Sequence, residues 1–518
     1  MAERQAIPTA HAGSRVLARA ARLAPEPPIG NTLSDLAADL SVAGVSQRRG
    51  LTPATVLGIR SYYDQIEHVT RVCDGTACHF AGGDAVRERL ASMGPAGSVR
   101  CLGHCYRAPA FRSGDKIYTC PPSESVEGWL DEWGEGPSPM VDLHPVPRTC
   151  LADEPLLLRR LLPGVARDAW GAYDLPDGDS VLRAIESAGV SGGEGATLPA
   201  AARWRTARDT DAPQRWVVAN GDEGDPGSYV DRLLLEEDPH AVLAGMLACA
   251  RAIGASRGIV YVRAEYPVAI RSLRAAIAAA NQRGVLGRAF DVEVFVGAGA
   301  YVCGDENALL RCIEGLRGEP APVPAFPSGT GLHGQPTVVH DVESFAGIAW
   351  SARSACAPDT TLVCLSGAVR RPGVAEIPLG MPLAEVLERA GGGEPDGRRW
   401  GMALVGGPLG RLLPAARFDT PLSDEALPGM GHAGVVVLDD TVTPRALAEH
   451  LFAFAAAESC GACAPCRAGA PRLAAMRDRA ALERLLLTLE TGSLCAFGRR
   501  LPRPVRDLLE HFGAEVLR

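Results

Sequence analysis

The stretch ESCGACAPCR, residues 458–467, sets Cys460, Cys463 and Cys466 three residues apart, and Cys495 follows in TGSLCAFG, 29 residues after Cys466. This spacing restricts the fold more tightly than any other feature of the chain. Three thiolates on one short loop can hold three corners of a cubane, and a distant fourth closes it. The pattern therefore predicts a [4Fe–4S] cluster on these four residues. A structural zinc ion is the alternative, although zinc sites more usually show two separated C-x2-C knuckles. The Gly, Pro and Arg that flank the thiols argue against a buried apolar triplet.

A second constellation lies near the other end: Cys73 and Cys78 are spaced C-x4-C, Cys101 and Cys105 C-x3-C. Two pairs on facing loops suit a [2Fe–2S] rhomb, each pair holding one iron, with zinc again the alternative. The chain has 15 cysteines in 518 residues, and clustered thiols in a long chain ligate metals more often than they form disulfides. A reducing, cytoplasmic compartment is expected. Cys249, Cys312, Cys356 and Cys364 lie in apolar surroundings and read as core, and Cys303 reads as packing in a Gly-rich loop. The formal net charge of −9 argues against nucleic acid as a partner, because phosphate binding wants a basic surface. No run of about 18 apolar residues occurs, so no membrane span is expected.

The Arg- and Ala-rich opening, 1–30, lacks a continuous apolar stretch and reads as a tail. From about 31 to 66 the pattern is helical, with Thr52 as a cap and Pro53 in a first turn. HVTRVC, GDAVRERLASM and GSVRC then read as strand, helix and strand, a small α/β unit with cysteines in its loops. Residues 120–150, rich in Pro and Gly, read as a linker. Residues 150–350 alternate strand and helix, which predicts a mostly parallel sheet with helices on its faces. Ligands of such sheets sit beyond the carboxyl ends of strands, where ANGDEGDPGSY and GAGAYVCGDEN both stand. Residues 360–440 read as a compact β-rich module, and 441–518 as helices around the cysteine cluster.

With these motifs in view, the chain from about 150 onward resembles the NADH-binding flavoprotein subunit of respiratory complex I. Its relatives include the diaphorase subunits of NAD-dependent formate dehydrogenases and NAD-reducing hydrogenases. Residues 31–135 resemble the thioredoxin-like [2Fe–2S] subunit that partners it, here fused in front; CLGHCYRAP is similar to that partner's CLGxCxxAP. The family's ESCGxCxPCR with a late cysteine is matched by the four C-terminal thiols without a gap. Its NADEGEPGTYKDR appears as NGDEGDPGSYVDR, which places Asn220, Asp222, Glu223 and Asp225 at flavin and nicotinamide positions. Its GAGAYICGEETAL appears as GAGAYVCGDENAL, which places Tyr301, Gly304, Asp305 and Glu306 in the same pocket.

The resemblance implies an α/β fold throughout. It begins with an N-terminal helical segment plus thioredoxin-like ferredoxin domain (31–135) and a Rossmann-like FMN/NAD domain (150–350). A ubiquitin-like β-grasp insert of the SLBB type (360–440) and a helical [4Fe–4S] domain (441–518) follow. The implied chemistry joins the two-electron hydride of NAD(H) to one-electron clusters through FMN, with Glu223 and Glu306 bonding the nicotinamide amide and ribose.

One stretch departs from the family pattern. The Gly-rich flavin-phosphate loop GRGGAGFPTGLKW is here GGEGATLPAAARW, residues 192–204. Gly192 and Gly195 are kept and Arg203 replaces the lysine as phosphate cation, but Glu194 and Thr197 stand where glycines belong. A carboxylate beside a phosphate is repulsive, and a side chain in place of Gly blocks backbone approach. Leu198, Thr206 and His333 occupy the three aromatic positions around the adenine, and Asp341 replaces an asparagine beside the flavin. Two readings follow: a diaphorase subunit that binds FMN and NAD with altered contacts, or a flavin-deficient iron–sulfur relay or scaffold. Fusion of the two modules favours a soluble accessory complex over complex I itself. A molybdenum or tungsten formate dehydrogenase catalytic subunit is then the first expected partner and an NAD-reducing hydrogenase the second, by family analogy.

Overall fold

The structure, a computed structural model, describes residues 41–63, 70–114, 116–121, 125–134, 145–164, 168–191, 198–321, 326–428, 430–432 and 434–517. The expected tail falls outside them. The hydroxyl of Thr52 accepts from the backbone N–H of Thr55 at 3.1 Å, and Pro53 opens the helix Pro53–Arg60. A proline at this position gives up no helical hydrogen bond and its fixed φ already suits the helix, so the start falls where the sequence puts it. With the preceding helix Val42–Arg49 this helix forms a pair whose Val45, Val56 and Ile59, with Tyr63 just beyond, share a core with Trp216, Val218 and Tyr261. The hydroxyls of Tyr62 and Tyr63 donate to the carbonyls of Gly318 and Leu316 at 2.6 and 2.9 Å. These helices are thus held by residues of the middle region.

That unit holds strands β1 (Thr70–Cys73), β2 (Gly97–Val99), β3 (Ala110–Ser113) and β4 (Lys116–Thr119) in the order β2-β1-β3-β4. Strands β1 and β2 are parallel and the others antiparallel. The helix Asp84–Met93 supplies the crossover that a parallel pair requires.

Next along the chain comes β5 (Arg148–Cys150), followed by β6 (Trp216–Gly221), β7 (Arg257–Val262), β8 (Asp291–Val296) and β9 (Thr337–Asp341). Strands β6 to β9 form an all-parallel sheet in the order β8-β7-β6-β9. Strand β6 is apolar and buried at nearly every position, as a strand covered on both faces must be. The helix Pro239–Ile253 is correspondingly buried along almost its whole length. Chain order reverses between β6 and β9, which makes the gap beyond their carboxyl ends the place for a ligand crevice.

Strands β10 (Thr360–Gly367), β11 (Gly373–Pro378), β12 (Trp400–Val405), β13 (Arg411–Pro414) and β14 (Gly434–Asp439) form a mixed sheet with the helix Leu383–Arg389, the expected β-grasp module. Its edge is β5, parallel to β11, so the end of the segment read as a linker is a strand. Arg148 of β5 is also paired with Glu237 at 2.7 and 3.0 Å, and just beyond the strand the buried carboxylate of Glu376 accepts from the N–H groups of Leu156, Leu157 and Leu158 at 2.7–3.0 Å and from the Thr360 hydroxyl at 2.7 Å. A fully satisfied buried carboxylate fixes the chain that supplies its donors. The C-terminal region is helical, with Pro444–Glu458, Ala464–Gly469, Arg479–Gly492, Ala496–Arg500 and Pro502–Phe512.

Candidate functional site

Asn220, near the end of β6, and Asp341, the last residue of β9, are register partners across the switch point. The Asn220 amide donates to the Gly304 carbonyl at 3.0 Å and accepts from the Asp222 N–H at 3.1 Å. One side chain thus ties together the loops that follow β6 and β8. On the second loop, the Tyr301 hydroxyl donates to Asp225 at 2.5 Å. Asp305 caps the helix Glu306–Ile313, accepting from the N–H groups of Asn307 and Ala308 at 3.0 and 3.3 Å. Arg203, buried on the helix Ala200–Asp209, donates to Glu306 at 2.5 Å.

Burial raises the carboxyl of Glu306, and Arg203 works against it. Asp222, with its side chain only 5% exposed, is pushed well above the usual carboxylate range by burial, with Arg263 3.7 Å away opposing that rise. Its Oδ2 has no hydrogen-bond partner among the described residues, so the crevice floor holds an unsatisfied acceptor.

Two expected ligand residues are already engaged within the chain. Glu223 accepts from the Ser228 hydroxyl at 2.6 Å and from the N–H groups of Val230, Asp231 and Arg232 at 2.7–3.2 Å. Its carboxylate satisfies the open N-terminus of the helix Val230–Glu237. Asp341 likewise caps the helix Val342–Ser354 through the Ser344 N–H at 2.7 Å.

His333 does not join the group. Its ring packs on Trp216, the first residue of β6, with centroids 6.1 Å apart, at the amino end of the sheet. The other predicted residues stand at the carboxyl end, roughly 15 Å away at the rise of a strand. Gly192 and Gly195, with Glu194 and Thr197, lie outside the described residues.

The N-terminal thiols Cys73, Cys78, Cys101 and Cys105 are all buried. The Cys101 and Cys105 sulfurs are 3.5 Å apart, and Cys78 is hydrogen-bonded to Cys73. The contact between the first two lowers the Cys101 thiol to about 7 and raises Cys105. These thiols stand in pairs, which suits two irons with two thiolates each. Sulfur also receives backbone donors, from Gly103 to Cys101 at 3.2 Å and from Gly227 to Cys105 at 3.3 Å. Gly227 belongs to the loop after β6, so the crevice and this thiol set touch directly.

The C-terminal thiols are less covered. Cys466 is buried, while Cys460, Cys463 and Cys495 are half-buried. Cys463 and Cys495 immediately precede the short helices Ala464–Gly469 and Ala496–Arg500. Burial raises the Cys460 thiol and pushes Cys466 and Cys495 up to about 11 and about 12. Thiols so placed keep their protons at neutral pH unless a cation displaces them, which is what an iron cluster does to its ligands.

The crevice reaches this set as well: the Tyr301 ring meets Phe454 and Phe497 edge-on at 5.1 and 5.6 Å, and its N–H donates to Glu458 at 3.3 Å. Glu458 also accepts from Arg100 at 2.9 Å. Arg100 adjoins Cys101, and Glu458 lies two residues before Cys460. This ion pair, which no motif announces, joins the two thiol loops. Of the remaining cysteines, Cys249, Cys303, Cys312 and Cys364 are core, but Cys356 is exposed in the turn after Ser354.

Comparison with known proteins identifies three segments. Residues 185–350 match the Nuo51 FMN-binding domain, 362–411 the SLBB domain, and 446–518 the NADH-ubiquinone oxidoreductase-F iron–sulfur binding region. The NADP-reducing hydrogenase subunit HndC of Solidesulfovibrio fructosivorans is 38% identical over 65% of this chain and 75% of its own length. The F component of the NADH-quinone oxidoreductase of Escherichia coli is 34% identical over 65% of this chain and 83% of its own length. A chain of the NAD+-reducing [NiFe]-hydrogenase in its H2-reduced state superposes with a TM-score of 0.82 at 30% identity, covering 94% of this chain and 92% of that one. Among the described residues no helix is long and apolar enough to cross a membrane. The chain therefore belongs to the NADH-quinone oxidoreductase-F family and its hydrogenase counterparts, oxidoreductase subunits of the NADH-dehydrogenase type.

Proposed function

We propose that this chain is a diaphorase subunit that binds FMN and NAD(H) in the crevice beyond β6, β8 and β9, a [2Fe–2S] cluster on Cys73, Cys78, Cys101 and Cys105, and a [4Fe–4S] cluster on Cys460, Cys463, Cys466 and Cys495. The observation that carries this reading is the placement of one crevice between two thiol sets. The loop after β6 donates to Cys105, and Tyr301 from the facing loop rests on Phe497, two residues beyond Cys495.

FMN, when bound, links the two-electron chemistry of nicotinamide to the one-electron chemistry of the clusters. The chain's own residues do the positioning. Asn220 clasps the two loops, Asp305 and Asp341 start the helices that wall the crevice, and the Arg203–Glu306 pair closes one side. Glu223 acts by holding the helix Val230–Glu237, and so the loop that touches Cys105.

The expected partner is a catalytic subunit of a larger complex. Fusion of the thioredoxin-like and flavoprotein modules does not by itself select a formate dehydrogenase, because the hydrogenase chain that superposes on 94% of this one shares the full extent of the fold. We therefore place a hydrogenase catalytic subunit ahead of a molybdenum or tungsten formate dehydrogenase.

The test is anaerobic purification, measurement of FMN and iron per chain, and NADH oxidation with ferricyanide. Near-stoichiometric FMN with NADH oxidation supports the diaphorase. Full iron with no flavin, even after FMN is added, supports the relay reading instead. Reduction of NAD+ by the purified complex with H2 or with formate distinguishes the two partners.

A further inference from the structure

The β-grasp module has a core of its own, yet it reaches the crevice through His432. His432 stands just before β14, and its Nδ1 accepts from the Gly434 N–H at 3.0 Å. The neutral imidazole consequently carries its proton on Nε2. Nε2 stands 2.9 Å from Oδ2 of Asp225, in contact with it but not aligned for a hydrogen bond, while Oδ1 of the same carboxylate accepts from Tyr301 at 2.5 Å.

A second loop of the module closes on Asp225 from another side. Gly407 has a φ of +71°, and a Cβ there would stand 2.7 Å from the Asp225 oxygen, so only glycine lets the turn approach so closely. The segment that follows Asp225 is fastened to the module too, through the Tyr229 hydroxyl, which donates to the carbonyls of Leu365 and Gly373 at 2.8 and 2.9 Å. Asp225 is thus oriented by the β-grasp module.

We propose that His432 is a positioning residue for the dinucleotide reaction: through Asp225 it fixes the Tyr301 phenol on the wall that the crevice shares with the C-terminal thiol set. The β-grasp module is on this view a working part of the dinucleotide site. The proposal rests on the crevice being the FMN and NAD(H) site. A carboxylate bonded at one oxygen and packed against the imidazole at the other presents one geometry to an incoming nucleotide, whereas a carboxylate released on that side must be ordered each time the nucleotide binds, which weakens binding without altering the chemical step.

The experiment compares wild type, His432→Ala and His432→Gln in the intact, cluster-loaded protein. FMN and iron content, KM for NADH and kcat with ferricyanide are measured for each. His432→Ala is expected to keep wild-type FMN and iron, to raise KM severalfold, because Asp225 must then be ordered as the nucleotide binds, and to leave kcat within about twofold. His432→Gln, which returns an N–H group to the same side, recovers most of the KM. In an Asp225→Asn background, His432→Ala adds nothing further, because the two side chains act as one unit.

An unchanged KM in His432→Ala overturns the proposal, as does loss of FMN or iron that His432→Gln does not repair. Absence of NADH oxidation in wild type overturns the underlying reading, and the proposal with it.

Discussion

The two thiol sets each hold four cysteines and are built in opposite ways. Cys73, Cys78, Cys101 and Cys105 are at most 4% exposed, and part of their cover comes from another domain, through the Gly227 N–H on Cys105. Cys460, Cys463 and Cys495 stay half-buried, and the first two share with Cys466 a local loop turned by Gly461, whose φ of +77° belongs to the left-handed region. A motif that is close in sequence carries its geometry with it. A site completed by a second domain depends on how that domain docks, and its properties should change when the docking changes.

The largest effect expected from this contrast is Cys463→Ser. It removes the [4Fe–4S] signal by electron paramagnetic resonance and leaves the [2Fe–2S] signal, because the two loops fold separately. Simultaneous loss of both signals breaks the comparison. Next is Glu223→Ala, which strips the helix Val230–Glu237 of its cap and loosens the loop on Cys105. Loss of a charged cap with several N–H partners costs about 2–3 kcal/mol, read as a lower midpoint in denaturant unfolding. The [2Fe–2S] spectrum changes and the [4Fe–4S] spectrum does not; a shift confined to the second spectrum contradicts the docking argument.

A smaller effect tests the one ion pair that joins the sets. Arg100 bridges Asp74 and Glu458. Arg100→Gln leaves both carboxylates without their shared cation, so the midpoint potentials of both clusters fall, on the order of 60 mV for the nearer one, a tenfold change for a one-electron couple. Glu458→Gln has the opposite sign and raises both. Movement of one potential alone shows that the pair is not shared.

The legible parts of the molecule are those whose cause is local. Thr52 and Pro53 mark a helix start, the cysteine spacings mark the loops, and apolar runs such as WVVAN mark a parallel sheet. Strand β5 is hidden because three extended residues after a Pro- and Gly-rich run look like a linker, and what holds them, β11 and Glu237, lies far along the chain. Glu223 looks like a ligand because carboxylates in loops after strands usually face a ligand; its capping role appears only when the next helix is in place. His333 occupies a family position in sequence, but its packing on Trp216 sets it at the other end of the sheet. Glu458 lies in plain view at the head of ESCGACAPCR, yet its partner Arg100 comes from 358 residues earlier. His432 carries no motif at all.

The crevice itself differs from both thiol sets, since its motif is altered where theirs are whole. The change that bears on charge at the phosphate is Glu194, in the stretch where the family has a Gly-rich phosphate loop. One unit charge about 5 Å from a phosphate through water-like surroundings opposes binding by about 0.8 kcal/mol. Glu194→Gly is therefore expected to tighten FMN binding by only about threefold to fivefold, measured by fluorescence titration of the flavin-free protein, with both cluster signals unchanged. Glu194→Gln separates charge from shape: if it recovers the same gain, repulsion is the cause, and if only glycine does, the side chain's bulk blocks backbone approach. Equal affinities in all three proteins would mean that residue 194 does not face the phosphate, and that the loop cradling it begins elsewhere in the chain.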